Sequence, residues 1–178
     1  MNTTGSTGRL SGWWFLAAGG FVTARAALEL TDPVYWDPAT AIDYGAALLS
    51  TVAWVVAGTA LILWARSIGT RRVAMPLLIA GLGTIASGIG NMLEDVVGIE
   101  AGEILFSWGG LIGVMAMLVA AALILTLSGP VRWSALFLVA FVAGSIFPDD
   151  GGQYLSGLAL IGLGYFLIRI GGHQVHES

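Results

Sequence analysis

The segment RRVAMPLLIAGLGTIASGIGNMLED, residues 71–95, contains the pattern from which the fold is predicted. Two arginines begin it, an uncharged and mostly apolar stretch follows over residues 73–93, and Glu94 and Asp95 end it. At about 1.5 Å of rise per residue, a helix of this length matches the roughly 30 Å hydrocarbon core of a bilayer. The segment therefore predicts a transmembrane helix with one basic end and one acidic end.

Five further apolar stretches repeat this pattern along the chain. The predicted spans cover residues 11–30, 41–65, 73–93, 104–127, 132–147 and 153–170. Arginines lie near one set of span ends: Arg9, Arg66, Arg71, Arg72, Arg132 and Arg169. Carboxylates lie near the other set: Asp32, Asp37, Asp43, Glu94, Asp95, Glu100, Glu103, Asp149 and Asp150. Because arginine-rich loops stay in the cytoplasm, this alternation predicts an all-α bundle of six transmembrane helices with both termini cytoplasmic.

Aromatic residues near the span ends favour the same topology, because tryptophan and tyrosine concentrate at the two membrane interfaces. One predicted belt lies at the inner boundary: Trp13, Trp14, Trp64 and Trp133. The other lies at the outer boundary: Trp36, Trp108, Tyr44 and Tyr154.

The composition leaves no room for a soluble domain. The chain has 178 residues, of which 57% are hydrophobic and 10% charged, whereas soluble domains contain about 25% charged residues. We therefore expect a cytoplasmic N-terminal segment over residues 1–10, a membrane domain over 11–170 and a cytoplasmic tail over 171–178. Arginine without lysine, with many alanines, glycines and valines, is typical of a GC-rich genome, so we expect the cell membrane of a prokaryote.

Missing residue types exclude several chemistries, and no cofactor is expected. Without cysteine there is no disulfide, iron–sulfur cluster or zinc–thiolate site, and without lysine no Schiff base can form. Both histidines, His173 and His176, lie beyond the last predicted span, so none can ligate haem within the membrane. The acidic outer face excludes nucleic acid as a partner. The expected partners are the lipid bilayer and either further copies of this chain or a larger membrane complex.

Arg25 is the one arginine predicted to lie inside the membrane near the acidic ends. A charge at that depth costs about 1–3 kcal/mol unless it is paired or reaches the interface. Glu29 follows one helical turn later, which predicts an intramembrane ion pair. Arg25 could instead join Asp95 or Asp149 and so link two spans, or it could serve as a site for a substrate anion or for gating.

The third span carries a polar stripe on one predicted helical face. Thr84, Ser87, Asn91 and Glu94 follow each other at helical spacing. One interpretation is that they line a pore or cavity that descends from the acidic mouth. The other is that they hydrogen-bond between packed helices.

Glycines in two other spans predict close packing between helices. Gly109 and Gly113 form a Gly-x-x-x-Gly pattern, and Gly157 and Gly164 share one face of the sixth span. Small residues of this kind let two helix backbones approach each other.

The acidic ends predict an outer rim of carboxylates formed by Asp43, Asp95, Asp149 and Asp150. Converging carboxylates could bind a divalent cation, whereas a solvated rim would bind none. Whether the rim holds a metal is left open by the sequence.

Three classes of function remain open. The first is a permease or channel for a cation or small polar solute, with the stripe as its lining and the rim as its mouth. The second is a non-catalytic subunit or scaffold of a larger complex, in which the stripe only joins helices. The third is an intramembrane lipid-modifying enzyme that uses carboxylates such as Glu94, Asp95 or Asp149.

Overall fold

The computed structural model of the chain describes residues 3–30, 40–147 and 151–173. Every regular element in these ranges is helical, so the all-α prediction is confirmed. The six α-helices are α1 (Thr3–Glu29), α2 (Ala41–Ser67), α3 (Arg71–Asn91), α4 (Ala101–Leu125), α5 (Ser134–Ile146) and α6 (Gln153–His173). A π-helical turn, Met92–Val96, extends α3, and a 3-10 turn, Pro130–Trp133, leads into α5.

Four helical segments within the described ranges are long and apolar enough to cross a membrane. They are Ala41–Ser67, Arg71–Val96, Ala101–Leu125 and Gln153–Gly171. α5 and its leading turn form a shorter apolar segment, Pro130–Ile146. α1 is about 40 Å long at helical rise, but Arg9, Arg25 and Glu29 reduce its apolar character. The four apolar helices indicate a multi-pass membrane protein.

The six helices form a ring in chain order. α2 packs against α1 and α3, α4 packs against α3 and α5, and α6 packs against α5 and α1. Because successive helices run antiparallel, the ends of the odd helices and the starts of the even ones share one end of the bundle. We call it the acidic end, and its described carboxylates are Glu29, Asp43, Glu94, Asp95, Glu100 and Glu103. The basic end carries Arg9, Arg66, Arg71, Arg72, Arg132 and Arg169.

Glycines close the ring between its first and last helices. A Cβ atom at Gly12 would lie 2.7 Å from the carbonyl oxygen of Gly164, and one at Gly19 would lie 2.6 Å from that of Gly157. No side chain fits at these crossings, so α1 and α6 touch backbone to backbone. The sequence had marked Gly157 and Gly164 as packing positions, and the structure gives them this role.

Glycines also bring α2, α3 and α4 together. A Cβ atom at Gly58 of α2 would lie 2.5 Å from the carbonyl oxygen of Gly81 on α3. One at Gly83 of α3 would lie 2.7 Å from both the Gly109 carbonyl oxygen and the Gly113 nitrogen of α4. The Gly-x-x-x-Gly pattern of α4 therefore faces α3.

Large apolar side chains fill the ring in the basic half of the bundle. Phe15 and Trp64 pack edge to face, with ring centroids 6.0 Å apart and planes at 85°. The fully buried side chains around them include Leu61, Leu77, Met117, Ile124, Leu138 and Leu163. Trp64 was predicted to belong to the inner aromatic belt, but it is only 2% exposed. The sequence could not show that α1 would cover this face of α2.

The outward faces of the bundle expose many large apolar side chains. On α4 these are Ile104, Leu105, Trp108, Leu111, Ile112, Met115, Leu118, Val119 and Leu125. Such a continuous apolar surface on a helical bundle suits contact with lipid tails. The surface therefore agrees with a lipid environment.

Candidate functional site

The candidate site is a partly open cavity in the acidic half of the ring, lined by α1, α2, α5 and α6. Its volume is about 60 Å³. One water molecule needs about 10–15 Å³ on this measure, so the cavity suits four to six waters or a solute with about as many non-hydrogen atoms. The polar residues that line it are Arg25, Ser50, Ser145, Gln153 and Ser156.

Among the described residues, Arg25 is the one charged residue in the lining of this cavity. It lies near the end of α1, and its Nη2 is 2.7 Å from Oε1 of Glu29, one turn further on. The two side chains are 28% and 25% exposed, so the ion pair is only partly shielded from solvent. The guanidinium also interacts electrostatically with the Asp95 carboxylate, which follows α3. The positive charge in the cavity wall is therefore balanced by carboxylates outside it.

Gln153 is the first residue of α6 and is 8% exposed. Its side chain lines the cavity, and its Oε1 is buried without a hydrogen-bond partner in the described chain. A buried polar atom without a partner costs about 1–3 kcal/mol, and most such atoms in native proteins are satisfied by the chain or by water. This oxygen is buried too deeply to meet a molecule in the cavity, so Gln153 lines the cavity through the rest of the residue.

Two serine hydroxyls join the end of α5 to the start of α6 beside the cavity. Ser145 Oγ donates to the Phe141 carbonyl oxygen at 2.8 Å, and Ser156 Oγ donates to the same oxygen at 3.0 Å. The two hydroxyl oxygens are 3.3 Å apart, so either can also donate to the other. Both hydroxyls are therefore engaged in contacts within the chain.

Aromatic and aliphatic groups close the cavity toward the core. Trp54 of α2 meets Phe141 of α5 across the ring, with centroids 6.0 Å apart and planes at 63°. Ala57 and Leu160 line the same side. Tyr154, beside Gln153, donates from its hydroxyl to the Ala26 carbonyl oxygen at 3.1 Å, which joins α6 to α1 at this level.

A second cavity of about 310 Å³ opens at the basic end. Its lining includes Trp64, Ser67, Thr70 and Leu167. Along α2, seven residues separate Ala57 of the first cavity from Trp64 of the second, which is about 10 Å at helical rise. The two cavities thus lie toward opposite ends of the ring, with apolar side chains of the core between them.

The polar stripe of α3 lines neither of these cavities. Thr84 Oγ1 donates to the Ala80 carbonyl oxygen at 2.7 Å within α3, and Ser87 Oγ donates to that of Phe106 on α4 at 3.1 Å. Asn91 Nδ2 is 3.2 Å from both the Ala47 carbonyl oxygen and Thr51 Oγ1 on α2. The Ser87 and Asn91 contacts are those expected if the stripe joins helices, whereas Thr84 bonds only within its own helix.

Glu94 does not continue the polar stripe, because the helix changes from α to π geometry after Asn91. The π-helical turn Met92–Val96 has a wider turn than the α-helix, so the spacing that placed Glu94 on the stripe no longer holds. Nothing in the hydropathy or charge pattern predicts this turn. Glu94 is half-buried at the acidic end, next to Asp95.

The predicted acidic rim is described only in part. Asp43 is 3% exposed, and its Oδ2 accepts from the Thr40 nitrogen at 2.8 Å and from Thr40 Oγ1 at 2.9 Å. It forms the capping box that begins α2 and does not extend into solvent. Asp95 is half-buried, while Asp149 and Asp150 lie outside the described residues. Within the described ranges, no three His, Asp or Glu side chains are grouped so that they could hold a metal ion.

Sequence reasoning found one member of this cavity, Arg25, and missed Gln153, Ser145 and Ser156. Arg25 stood out as a charge within an apolar span. The other three lie at the ends of their helices, where polar residues are expected at a membrane interface. One available signal was that Ser145 and Gln153 lie on either side of the turn between the last two spans.

Comparison of the chain with protein-family models, with curated proteins and with solved structures found no match.

Proposed function

We propose that this chain is a small permease or channel that takes a small polar solute through the middle of its helical ring. In this proposal all six helices cross the membrane, and the basic end with both termini faces the cytoplasm. The solute site is the cavity between α1, α2, α5 and α6. The observation that carries the proposal is a cavity within a ring of apolar helices, whose mostly apolar lining includes the polar side chains of Arg25, Ser145 and Gln153.

The two cavities support a path along the ring axis. One lies in the acidic half and the other opens at the basic end, so a solute could approach from either side. The core between them, about 10 Å thick at helical rise, is formed by side chains such as Phe15, Leu61 and Leu163. Apolar constrictions of this kind exclude water and so act as gates. The described arrangement would then be a closed state, and transport would require these side chains to move.

The carboxylates at the acidic end support the proposal that this end is the outer entrance to the solute path. Glu94, Asp95, Glu100 and Glu103 all lie between the end of α3 and the first turn of α4. Carboxylates at a mouth raise the local concentration of cations and repel anions. They do not line the cavity, so selectivity within the ring depends on other residues.

Flux through reconstituted vesicles tests this proposal. Purified protein in liposomes is mixed rapidly with a hyperosmotic solution of each solute, and light scattering follows the volume recovery. Gln153→Met keeps the side-chain length but removes the amide, so we expect solute entry to fall toward that of empty vesicles. Asn91→Leu is the matched control, because it removes a buried amide that contacts α2 outside the cavity.

The two substitutions separate the two paths that were considered. Loss of flux in Asn91→Leu with normal flux in Gln153→Met would place the path along the α3 stripe. Vesicles with wild-type protein that take up cations and polar solutes no faster than empty vesicles would refute a permease.

A non-catalytic scaffold is the second candidate, and the contacts of α3 favour it. Thr84, Ser87 and Asn91 use their polar groups in contacts within the bundle, and glycines bring α3 against both neighbours. A scaffold needs a rigid bundle and no path. The scaffold hypothesis predicts that the protein transports no solute and co-purifies with other membrane proteins.

A further inference from the structure

Two arginines at the basic end lie against aromatic rings. The guanidinium carbon of Arg132, in the 3-10 turn before α5, is 4.9 Å from the centroid of the Trp133 ring. That of Arg169, near the end of α6, is 5.2 Å from the Tyr165 ring centroid, and its Nε donates to the Tyr165 hydroxyl at 2.8 Å. A ring in this position contacts the flat face of the guanidinium and leaves its terminal N–H groups to donate elsewhere.

The packing of α5 against α6 brings the two arginines to one level of the bundle. Phe137 of α5 and Phe166 of α6 meet with ring centroids 6.0 Å apart, and α6 also packs against the 3-10 turn. Trp133 precedes Phe137 by four residues, and Arg169 follows Phe166 by three. Because the two helices run antiparallel, each lies about one turn from this contact, toward the basic end.

This surface faces outward from the ring. We call it the α5–α6 surface, and its four side chains are all exposed: Arg132, Trp133, Tyr165 and Arg169. Leu158 is exposed on α6 two turns from Tyr165, about 10 Å further toward the acidic end. In a membrane, exposed aromatic rings mark the level of the lipid headgroups, and apolar side chains beyond them contact acyl chains. The surface thus has a cationic headgroup level and an apolar strip below it.

The charge of this surface favours an anionic lipid. In the described ranges every carboxylate lies at the acidic end, and the ion pair between Arg25 and Glu29 is found there too. Phosphate oxygens accept two parallel hydrogen bonds from a guanidinium, which makes arginine well suited to a phosphodiester. Anionic phospholipids are concentrated in the cytoplasmic leaflet, the side proposed for the basic end.

We infer that the α5–α6 surface binds the headgroup of an anionic phospholipid. Arg132 and Arg169 donate to its phosphate oxygens, Trp133 and Tyr165 position the two guanidiniums, and an acyl chain lies along the apolar strip that includes Leu158. The site lies outside the ring, so this inference requires a bilayer around the protein but no transport through it.

Native mass spectrometry of the full chain, released from detergent micelles, tests the inference because it resolves each bound lipid. The probes are phosphatidylglycerol and phosphatidylcholine with identical acyl chains, and glycerol 3-phosphate as a soluble phosphate. We expect the first phosphatidylglycerol to bind at least about fivefold more tightly than phosphatidylcholine, because the choline group adds a positive charge. Glycerol 3-phosphate, which has no acyl chain, should bind more weakly than either lipid.

Substitutions separate a specific site from the general positive charge of this end. Arg132→Gln and Arg169→Gln should each weaken phosphatidylglycerol binding about fivefold, the change expected for one arginine near an anionic headgroup. Arg66→Gln is the matched control: it removes an exposed arginine at the same end, on α2, which packs against α1 and α3. It should change binding less than about twofold.

Tyr165→Phe tests the positioning role of the tyrosine. It keeps the ring and removes the hydroxyl that accepts from Arg169 Nε. We expect phosphatidylglycerol binding to weaken about twofold with phosphatidylcholine binding unchanged, a difference that a general loss of structure would not give. If Arg169→Gln does not fold, as judged by circular dichroism and gel filtration, Arg169→Lys replaces it; it keeps the charge but loses the planar fork, and should weaken binding about twofold.

Other results would overturn the inference. Equal binding of the two lipids would show that the headgroup charge does not matter. An equal loss in Arg66→Gln and Arg169→Gln would show general attraction to the basic end without a site, and glycerol 3-phosphate binding as tightly as the lipid would show a site for soluble phosphates. Glu177 lies outside the described residues, so Glu177→Gln is compared as well. Phosphatidylglycerol binding in that variant alone would show that the tail occupies the arginines.

Discussion

Gly58→Ala should destabilise the bundle by forcing α2 away from α3. The new methyl carbon would lie 2.5 Å from the Gly81 carbonyl oxygen and 3.1 Å from the Ile85 nitrogen. Both are backbone atoms, so no side-chain rotation can relieve the overlap and the helices themselves must shift. Overpacking of this kind costs about 1–3 kcal/mol, and the better helix propensity of alanine returns about 1 kcal/mol.

Gly45→Ala is the matched control within the same helix. A Cβ atom at Gly45 has no neighbour within 4 Å, so only the propensity gain remains. We expect this variant to stabilise the protein by about 0.5–1 kcal/mol. Gly58→Ala should therefore be less stable than Gly45→Ala by about 1–3 kcal/mol.

Reversible unfolding in mixed detergent micelles, with SDS as denaturant and circular dichroism as the readout, measures both free energies. Equal stabilisation by the two substitutions would refute the reasoning, because it would show that α2 and α3 are not in backbone contact at Gly58. A loss at Gly45 would instead place another element against the start of α2.

Three further predictions concern the ion pair, the topology and the start of α2. Arg25→Leu leaves Glu29 without its 2.7 Å partner and should lower the free energy of unfolding by about 1–3 kcal/mol; unchanged thermal stability in detergent would contradict this. A reporter that is active only in the cytoplasm should work when inserted at Gly69 and fail at Gly98, and the reverse pattern would invert the proposed topology. Thr40→Ala removes the side-chain cap of α2 and should cost about 1 kcal/mol, measured by the same SDS titration; an unchanged midpoint would show that the cap contributes nothing.

Most helix positions could be read from the sequence, because apolar length and flanking charge have direct physical causes. The predicted spans 41–65 and 153–170 lie within α2 and α6 and end within three residues of them. The first helix differs, since it begins at Thr3 and not near Ser11. Polar residues such as those at its start can continue a helix once it has formed, so hydropathy alone could not place that boundary.

The candidate site was harder to predict, because it depends on which helices meet and how each is rotated. Asn91 could face a path or a neighbour, and the sequence left both open. The structure places its amide 3.2 Å from two oxygens of α2. Ser145 and Gln153 become neighbours of Arg25 only because α6 returns to α1 and closes the ring. No local pattern encodes that closure.

The crossing of α1 and α6 has a consequence for the order in which the protein is made. The ribosome produces α1 first and α6 only after the other five helices. Gln153, Ser156 and Leu160, the α6 residues of the cavity lining, therefore arrive last. Until then Gly12 and Gly19 expose backbone that no neighbour covers. In a nascent chain paused before α6, five helices form an incomplete ring without the cavity. The cavity forms only when α6 packs against α1 and α5 and completes the ring.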